Sequence, residues 1–502
     1  MELSTLLYLV AAVYALTWAS RRFMYAERCL EGIPTVGGPS LPILSWYGAI
    51  RFLLQAHKVL EEGYTKYKGG CFKVAQFNRW FVIVADPALN EELRKAPEEY
   101  MSSPAALHQY LQGLYTLGID LNEMNNYIEL VREQLLRHVN PSPSMLYDEM
   151  IAAFQDIIPQ SDDWAPIPAL DASFKLFFRV SNRAFVGAPL CSNPEYNELN
   201  IEFTNNVFKG ALLYNALPNG IRPFISRWLD LVGPSVERGM RFIQPHFEQR
   251  QKEMEAAGKD WVGKEDDLLS LLMASTQGEA CNVRNLTRIM LIVNLAAVHT
   301  TSQSFTHLLY LIATNPAWAA TLREEIEQVI EQHGYDKEAL HRMRRLDSFI
   351  QESLRFNGLG ALASTKLALQ DFALSNGTIL PKGTLVAAPL RAMHYDGENY
   401  ADADTFQPWR FYRELEEFDG EVNAQSMTTT TPTYLSFGHG KTACPGRFFA
   451  ALELKMIVAN LLLNYDIKLE GDSSKIPPVS WYITARVPNM TANVLVRRRQ
   501  KA

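Results

Sequence analysis

Hydrophobic and polar positions divide the chain first at its N-terminus. No charged residue occurs from Leu3 to Ser20, and Arg21-Arg22 follow at once. A charge-free apolar stretch of about 18 residues just reaches the length that spans a bilayer, and the arginine pair would keep the following chain on the cytosolic side. A cleaved signal peptide competes with this reading. It calls for positive charge ahead of the apolar run, whereas the only charged side chain there is Glu2. The pattern therefore predicts an uncleaved transmembrane anchor over residues 1–20. Pro34, Gly37, Gly38 and Pro39 make Gly32–Leu41 a stiff, helix-free connector, so residues 21–45 read as a hinged linker and 46–502 as one domain.

Two strand-like runs follow, Cys71–Phe77 and Trp80–Ala85, rich in β-branched and aromatic residues and bounded by turn signals. Beyond them the periodicity is mostly helical. The longest helix expected runs from about Asn285 to Ala313 and is stopped by Asn315-Pro316. It is apolar on nearly all sides, as suits a helix crossing the core of a large domain. Charged amphipathic helices are expected over Ala317–His333 and Lys337–Phe356, then short strands between Lys366 and Pro389. Met427–Thr433 reads as a loop. From Arg447 the pattern is helical again, with Phe448, Leu452, Met456 and Leu463 recurring broadly on one face. The expected class is mainly α with small β-sheets.

Composition narrows the function without naming it. The 502 residues show no composition break after the first 45, so a division into about three domains by length alone is set aside. A net charge of −7 and the lack of a basic tail give no support to nucleic-acid binding. Five cysteines (Cys29, Cys71, Cys191, Cys281 and Cys444) are odd in number and form no CxxC. That argues against a disulfide framework or zinc site and fits a reducing compartment.

The chemistry concentrates at Phe437-Gly-His-Gly-Lys-Thr-Ala-Cys444-Pro-Gly-Arg. Gly438, Gly440 and Gly446 let the backbone bend and approach a flat ligand, and Pro445 fixes φ after the cysteine. Cys444 thus sits on a rigid loop at the mouth of a helix, where amides and the helix dipole favour a thiolate. Such a thiolate ligates haem iron in enzymes that split the O–O bond. A buried structural cysteine is the competing reading.

These residues resemble the cytochromes P450, the haem-thiolate monooxygenases, from the anchor to the last strand. Residues 437–446 fit the family's Phe-x-x-Gly-x-x-x-Cys-x-Gly, Glu352-Ser-Leu-Arg355 its Glu-x-x-Arg, and Phe406-Gln-Pro-Trp-Arg410 its later arginine motif. The resemblance implies a haem b axially ligated by Cys444 and a structural network of Glu352, Arg355 and Arg410. In Ala296-Ala-Val-His299-Thr300-Thr301, which resembles the oxygen-activation segment, Ala296 and Ala297 would leave room for O2 and Thr300 would steer protons to it. The competing reading of Thr300 is back-bonding to its own helix. His299 stands where most relatives carry an acid, and an imidazole can relay protons near neutral pH. It can equally be a packed core histidine.

Departures from the family pattern concern the haem carboxylates. Thr442 replaces a basic residue two before the cysteine, Ile128 replaces a tryptophan, and Gly358 replaces a proline. Arg132, Lys366 and Lys441 remain to pair the propionates, or are surface charges. By resemblance, Leu359, Ala361, Leu362, Ile483 and Thr484 join Ala296 and Ala297 over the haem. Apart from Thr484 they are apolar, so burial of hydrocarbon would drive binding and shape would select the carbon attacked.

Val180–Cys191 and the Ala-x-His-Thr-Thr variant resemble the fungal microsomal group that includes ent-kaurene oxidase-like enzymes. The expected activity is insertion of one atom of O2 into a terpenoid or other secondary metabolite. Electrons would come from NADPH through a cytochrome P450 reductase, with cytochrome b5 as a further partner, at the endoplasmic reticulum membrane. Two alternatives stay open: a haem-thiolate isomerase or dehydratase that needs no NADPH, and a non-catalytic haem-binding protein.

Overall fold

A computed structural model describes residues 30–41, 44–77, 79–120, 143–257, 267–275, 281–412, 426–471 and 475–500. The expected anchor and the first part of the linker, together with Ile128 and Arg132, lie outside the described residues. Among the described residues, no helix is long and apolar enough to cross a membrane.

The chain opens with β1 (Thr35–Val36), α1 (Ser45–Tyr67), β2 (Cys71–Ala75), β3 (Trp80–Val84), α2 (Pro87–Lys95), β4 (Met101–Ser102) and α3 (Ser103–Leu111). A helical section follows with α4 (Pro143–Ile157), α5 (Ala169–Phe185) after β5 (Ala165–Pro168), α6 (Pro194–Ala216), α7 (Gly233–Ala257), α8 (Val283–Thr314), α9 (Pro316–His333) and α10 (Arg344–Phe356). The last section holds β6 (Ala363–Ala368), β7 (Leu385–Ala388), α11 (Arg447–Asn464), β8 (Tyr465–Leu469), β9 (Ser480–Tyr482), β10 (Ala485–Val487) and β11 (Asn493–Arg498). Six strands make one sheet in the order β1-β2-β3-β7-β6-β4, and β8-β11-β5 make a second. β2 and β3 are antiparallel and buried along their whole length, which explains their near-continuous apolar runs. Their one charged side chain, Lys73, donates from Nζ to the Leu30 carbonyl at 2.6 Å.

α8 is the axis of the helical section. Asn282 caps it by accepting from the Asn285 amide at 3.0 Å. Its end at Thr314 comes where Asn315 turns its own side chain to the next helix, accepting from the Ala317 amide at 3.1 Å beside Pro316. α8 packs on α5 across a polar seam as well as an apolar one. Asn182 and Asn294 exchange reciprocal amide hydrogen bonds at 2.7 and 3.1 Å, and Thr306 donates to Ser173 Oγ at 3.0 Å.

Two sequence expectations change. The single helix over Lys337–Phe356 is broken at Met343, whose ψ of 76° is not helical. The Glu325 carboxylate explains the restart: it accepts from the amides of Arg345 and Leu346 at 2.7 and 2.9 Å and so caps α10 from a neighbouring helix. α11 is not one-sided either. It is buried almost all round between Phe449 and Leu462, including Glu453, Lys455 and Asn460, while Phe448 is exposed.

Glu453 shows what that burial does. Ser181 donates to its Oε1 at 2.7 Å, whereas Oε2 is buried without a hydrogen bond. Burial pushes its carboxyl up from 4.5 to about 8. The folded state therefore holds this proton more firmly than the unfolded chain, and stability falls as pH rises from 4.5 to 8. The slope limit is ~1.4 kcal/mol per pH unit. We expect Glu453→Gln to flatten this dependence, raising the thermal midpoint at pH 8 much more than at pH 5.5. Parallel curves for the two proteins across that range would show that Glu453 is ionised in the fold.

Candidate haem-thiolate site

The loop ahead of α11 is built by its own backbone. The Cys444 amide donates to the Phe437 carbonyl at 2.7 Å, and the Gly438 amide donates to Leu435 at 2.9 Å. Gly438 and Gly440 have φ of 70° and 73°, values that L side chains rarely adopt. A Cβ on Gly440 would also stand 2.5 Å from the Arg94 side chain. Close approach at this glycine is thus to α2 rather than to a flat ligand. Gly446 is different: its φ is ordinary, and a Cβ there would meet no atom within 4 Å. Cys444 is partly exposed and in no disulfide, and its carbonyl accepts from Arg447 Nη1 at 3.1 Å. A partly exposed thiol at a helix mouth, with open space beside Gly446, fits a flat group ligated through sulfur.

Behind the loop lies a buried ionic network. Arg355 grips Glu352 with both prongs, Nε to Oε2 at 2.7 Å and Nη2 to Oε1 at 2.8 Å. Arg410 Nε reaches the same carboxylate at 3.1 Å, and the Gln407 amide adds a fourth donor at 3.0 Å. Spare guanidinium hydrogens go to the carbonyls of Ala403 and Asp402 at 2.9 and 3.2 Å, and to those of His394 and Ala401. The carboxylate is thereby fully hydrogen-bonded away from water, and the guanidinium hydrogens it leaves over are taken up by carbonyl oxygens, the condition under which a buried ionic group survives its desolvation cost.

His394 carries this network to the cysteine loop. Its Nδ1 lies 3.1 Å from the Arg355 carbonyl, and its Nε2 accepts from the Leu435 amide at 3.1 Å. Burial pushes the imidazole down to about 3, so it is neutral, with Nδ1 carrying the hydrogen. Ser436 Oγ adds a second tie by donating to the Leu354 carbonyl at 3.2 Å. The sequence reading passed over His394, since no local pattern marks it.

On α8, Ala296 and Thr300 are exposed although the helix around them is largely buried. That face has no protein cover. Thr300 Oγ1 donates to Ala296 O at 2.9 Å, with Ala297 O at 3.1 Å, so its hydroxyl back-bonds while its lone pairs stay open to a donor. His299 points elsewhere, edge-on to Phe174 of α5 with ring centroids 5.0 Å apart. Burial pushes it down to about 4.

The other pocket residues come together in pairs. Ala361 N donates to Thr484 O at 2.8 Å and Arg486 N to Leu359 O at 2.9 Å. Ala361, Leu362 and Ile483 share one apolar cluster, whereas Ala297 packs against another. Among the basic residues, Lys366 is buried and donates to the Leu93 carbonyl at 2.8 Å, and burial lowers the pKa of its ammonium. Lys441 and Thr442 are exposed.

With this geometry in place, the comparisons with known proteins are specific. The sequence pattern of the cytochrome P450 family matches residues 37–492. Cytochrome P450 monooxygenase 151 of Postia placenta is 40% identical over 474 residues, covering 94% of each chain. Ent-kaurene oxidase of Gibberella intermedia is 29% identical over 93% of this chain and 88% of its own. A retinoic acid-bound cyanobacterial CYP120A1 structure aligns with a TM-score of 0.66 at 20% identity, over 93% of this chain and 99% of that one. Family membership brings a haem with a cysteine thiolate on its iron, O2 as co-substrate and electrons from a reductase. The chain belongs to the cytochrome P450 family and is a monooxygenase.

Proposed function

We propose that this monooxygenase inserts one oxygen atom from O2 into a lipophilic small molecule of terpenoid size, with NADPH-derived electrons delivered by a cytochrome P450 reductase and cytochrome b5 as a further electron donor. The carrying observation is the uncovered face of α8 at Ala296 and Thr300, a site of small side chains beside a hydroxyl. Leu359, Ala361, Leu362 and Ile483 supply apolar wall, and Ala361 is bound to Thr484 by its backbone. The resemblance to ent-kaurene oxidase supports a terpenoid class.

Haem, ligated by Cys444, supplies O2 binding and O–O cleavage when bound. The chain's own residues hold, orient and protonate. The start of α11 behind Cys444 favours the negative charge of a thiolate ligand. Thr300 can accept a hydrogen bond on its lone pairs and turn its proton from Ala296 O towards O2. His299, neutral at physiological pH, has one donor and one acceptor nitrogen and would pass a proton without holding charge only by turning from its packing against Phe174 towards the Thr300 face. Arg132, Lys366 and Lys441 are the cations assigned to the haem carboxylates, with Lys366 requiring release from Leu93 O to reach one. Residues 1–20 anchor the domain to the endoplasmic reticulum membrane, with the rest facing the cytosol.

Cys444→Ser should abolish both turnover and the strongly red-shifted Soret band of the reduced carbon monoxide complex; normal activity in that variant would refute the assignment. Thr300→Ala should lower product formed per NADPH consumed and raise hydrogen peroxide, while leaving substrate binding intact. Because His299 stays neutral above about pH 5, coupling should be flat from pH 6 to 8 in the wild type, and an inflection near 6.5 that His299→Leu removes would contradict a neutral relay. For topology, protease added to intact microsomes should digest the domain; its protection, or glycan on Asn285 or Asn376, which begin the acceptor sequences Asn285-Leu-Thr287 and Asn376-Gly-Thr378, would place it in the lumen.

A further inference from the structure

The cysteine loop has a seat on α2. Arg94 clasps Glu91 one turn earlier in that helix, Nε to Oε2 at 2.6 Å and Nη2 to Oε1 at 2.5 Å, and Lys95 Nζ lies 3.6 Å from the same carboxylate. The Arg94 hydrogen bonds hold the Glu91 carboxyl down at about 2, so it stays ionised across the neutral range. His439 of the cysteine loop rests on it, with Nε2 lying 3.4 Å from Glu91 Oε2. On the other side of the ring, Nδ1 is 3.0 Å from Thr430 Oγ1, and the Thr430 backbone also hydrogen-bonds the imidazole. One side chain therefore joins α2, the cysteine loop and the segment 426–434.

The local sequence is given over to this placement. His439 is extended, at φ −149°, between Gly438 and Gly440, whose φ of 70° and 73° no side-chain-bearing residue adopts cheaply. The loop closes behind the ring through Cys444 N to Phe437 O at 2.7 Å and Ala443 N to Gly440 O at 3.1 Å. A shift of His439 is passed through those few bonds to Cys444. The segment 426–434 is itself tied to α10, since the Met427 amide donates to Asp347 Oδ2 at 2.7 Å. A docking role would want an open ring, yet the His439 side chain is only 19% exposed. A plain surface ion pair would be worth little and would not need the second contact at Thr430.

Both protonation states fit this site. A neutral ring can donate from Nε2 to Glu91 and accept at Nδ1 from the Thr430 hydroxyl, and a protonated ring can donate on both sides. Burial pulls the imidazole below 6.5, with the Glu91 charge opposing and Arg94 assisting. Those two α2 residues are the charges that face it, with Lys95 behind Glu91, whereas Thr430 brings none. Lys441, two residues along the loop, is exposed.

We propose that His439 is a positioning residue for the haem ligand: it fixes the cysteine loop against α2 and the 426–434 segment, and the proton it takes up in acid makes the iron site easier to reduce. This rests on Cys444 as the ligand and is independent of the substrate. The electron comes from the reductase and the proton from water. A positive ring on the ligand's own loop stabilises an added electron, and by linkage the added electron stabilises the proton.

The test is redox titration of the haem-loaded protein between pH 5.0 and 7.5, with the carbon monoxide spectrum as a second readout. In the wild type the midpoint potential should be level above pH 7 and climb below 6.5, at less than the one-electron, one-proton limit of about 59 mV per pH unit. His439→Gln keeps a donor for Glu91 but takes no proton, so the climb should vanish while the red-shifted band remains. Glu91→Gln should move the climb to lower pH. His439→Phe keeps the bulk and neither hydrogen bond; in mild urea its red-shifted band should decay about twofold faster than the wild type's or more, with His439→Gln restoring part of the difference. If His439→Phe yields no haem protein, His439→Gln decides alone. A wild type without the climb, a climb that survives His439→Gln, or a His439→Phe band as durable as the wild type's overturns the proposal. A wild type lacking the red-shifted band sinks the Cys444 ligation beneath it as well.

Discussion

The Glu352 carboxyl group is buried with no access to water, and much of the domain is arranged to satisfy its two oxygens there. An isolated carboxylate in that position would be prohibitively costly. Arg355, Arg410 and the Gln407 amide remove the cost with four donors, and the carbonyls of residues 394–405 absorb the guanidinium hydrogens that remain. Removing one partner from such a group costs about 3–5 kcal/mol. The network therefore locks α10, the segment 394–410 and, through His394, the cysteine loop into one geometry. A ligand held through one sulfur needs that rigidity, because the loop before Cys444 is otherwise only a run of turns.

Rigidity on the cysteine side contrasts with accessibility on α8. That helix is buried through its C-terminal half and bound to α5 by amides and hydroxyls, yet at Ala296 and Thr300 it turns small side chains to space that protein does not fill. The polar seam sets how α8 is rotated about its axis, since slipping the Asn182–Asn294 pair would leave both amide oxygens buried without a donor, the Nδ2 groups keeping the Phe178 and Met290 carbonyls. Rotation in turn decides that Thr300 is uncovered and His299 is packed on Phe174. Two adjacent residues thus acquire different environments from one helix register.

Elements and chemistry were legible in the primary structure to different depths. The cysteine loop was readable because glycine, proline and cysteine in that order have few other uses. Glu352, Arg355 and Arg410 were readable only as a set, since Glu and Arg three apart on a helix are commonly a solvated pair. Helix ends marked by Asn and Pro, such as Thr314 followed by Asn315-Pro316, were local and therefore readable. The break at Met343 was not, because the group that caps α10 is Glu325, on another helix.

What the amino-acid sequence by itself determined are the properties carried by short-range chemistry: the mainly α class, the strand pair over residues 71–84, the thiol at the mouth of a helix and the identity of the ionic network. Tertiary structure decided the properties that depend on which distant groups meet. His394 became the neutral link between Arg355 and Leu435, Glu453 became a buried acid, Lys366 was drawn to a backbone carbonyl, and His439 was brought to Glu91 from the far end of the chain. The reason is physical. A side chain's charge, exposure and partners are set by desolvation and by neighbours in space, and neither is written in the residues beside it.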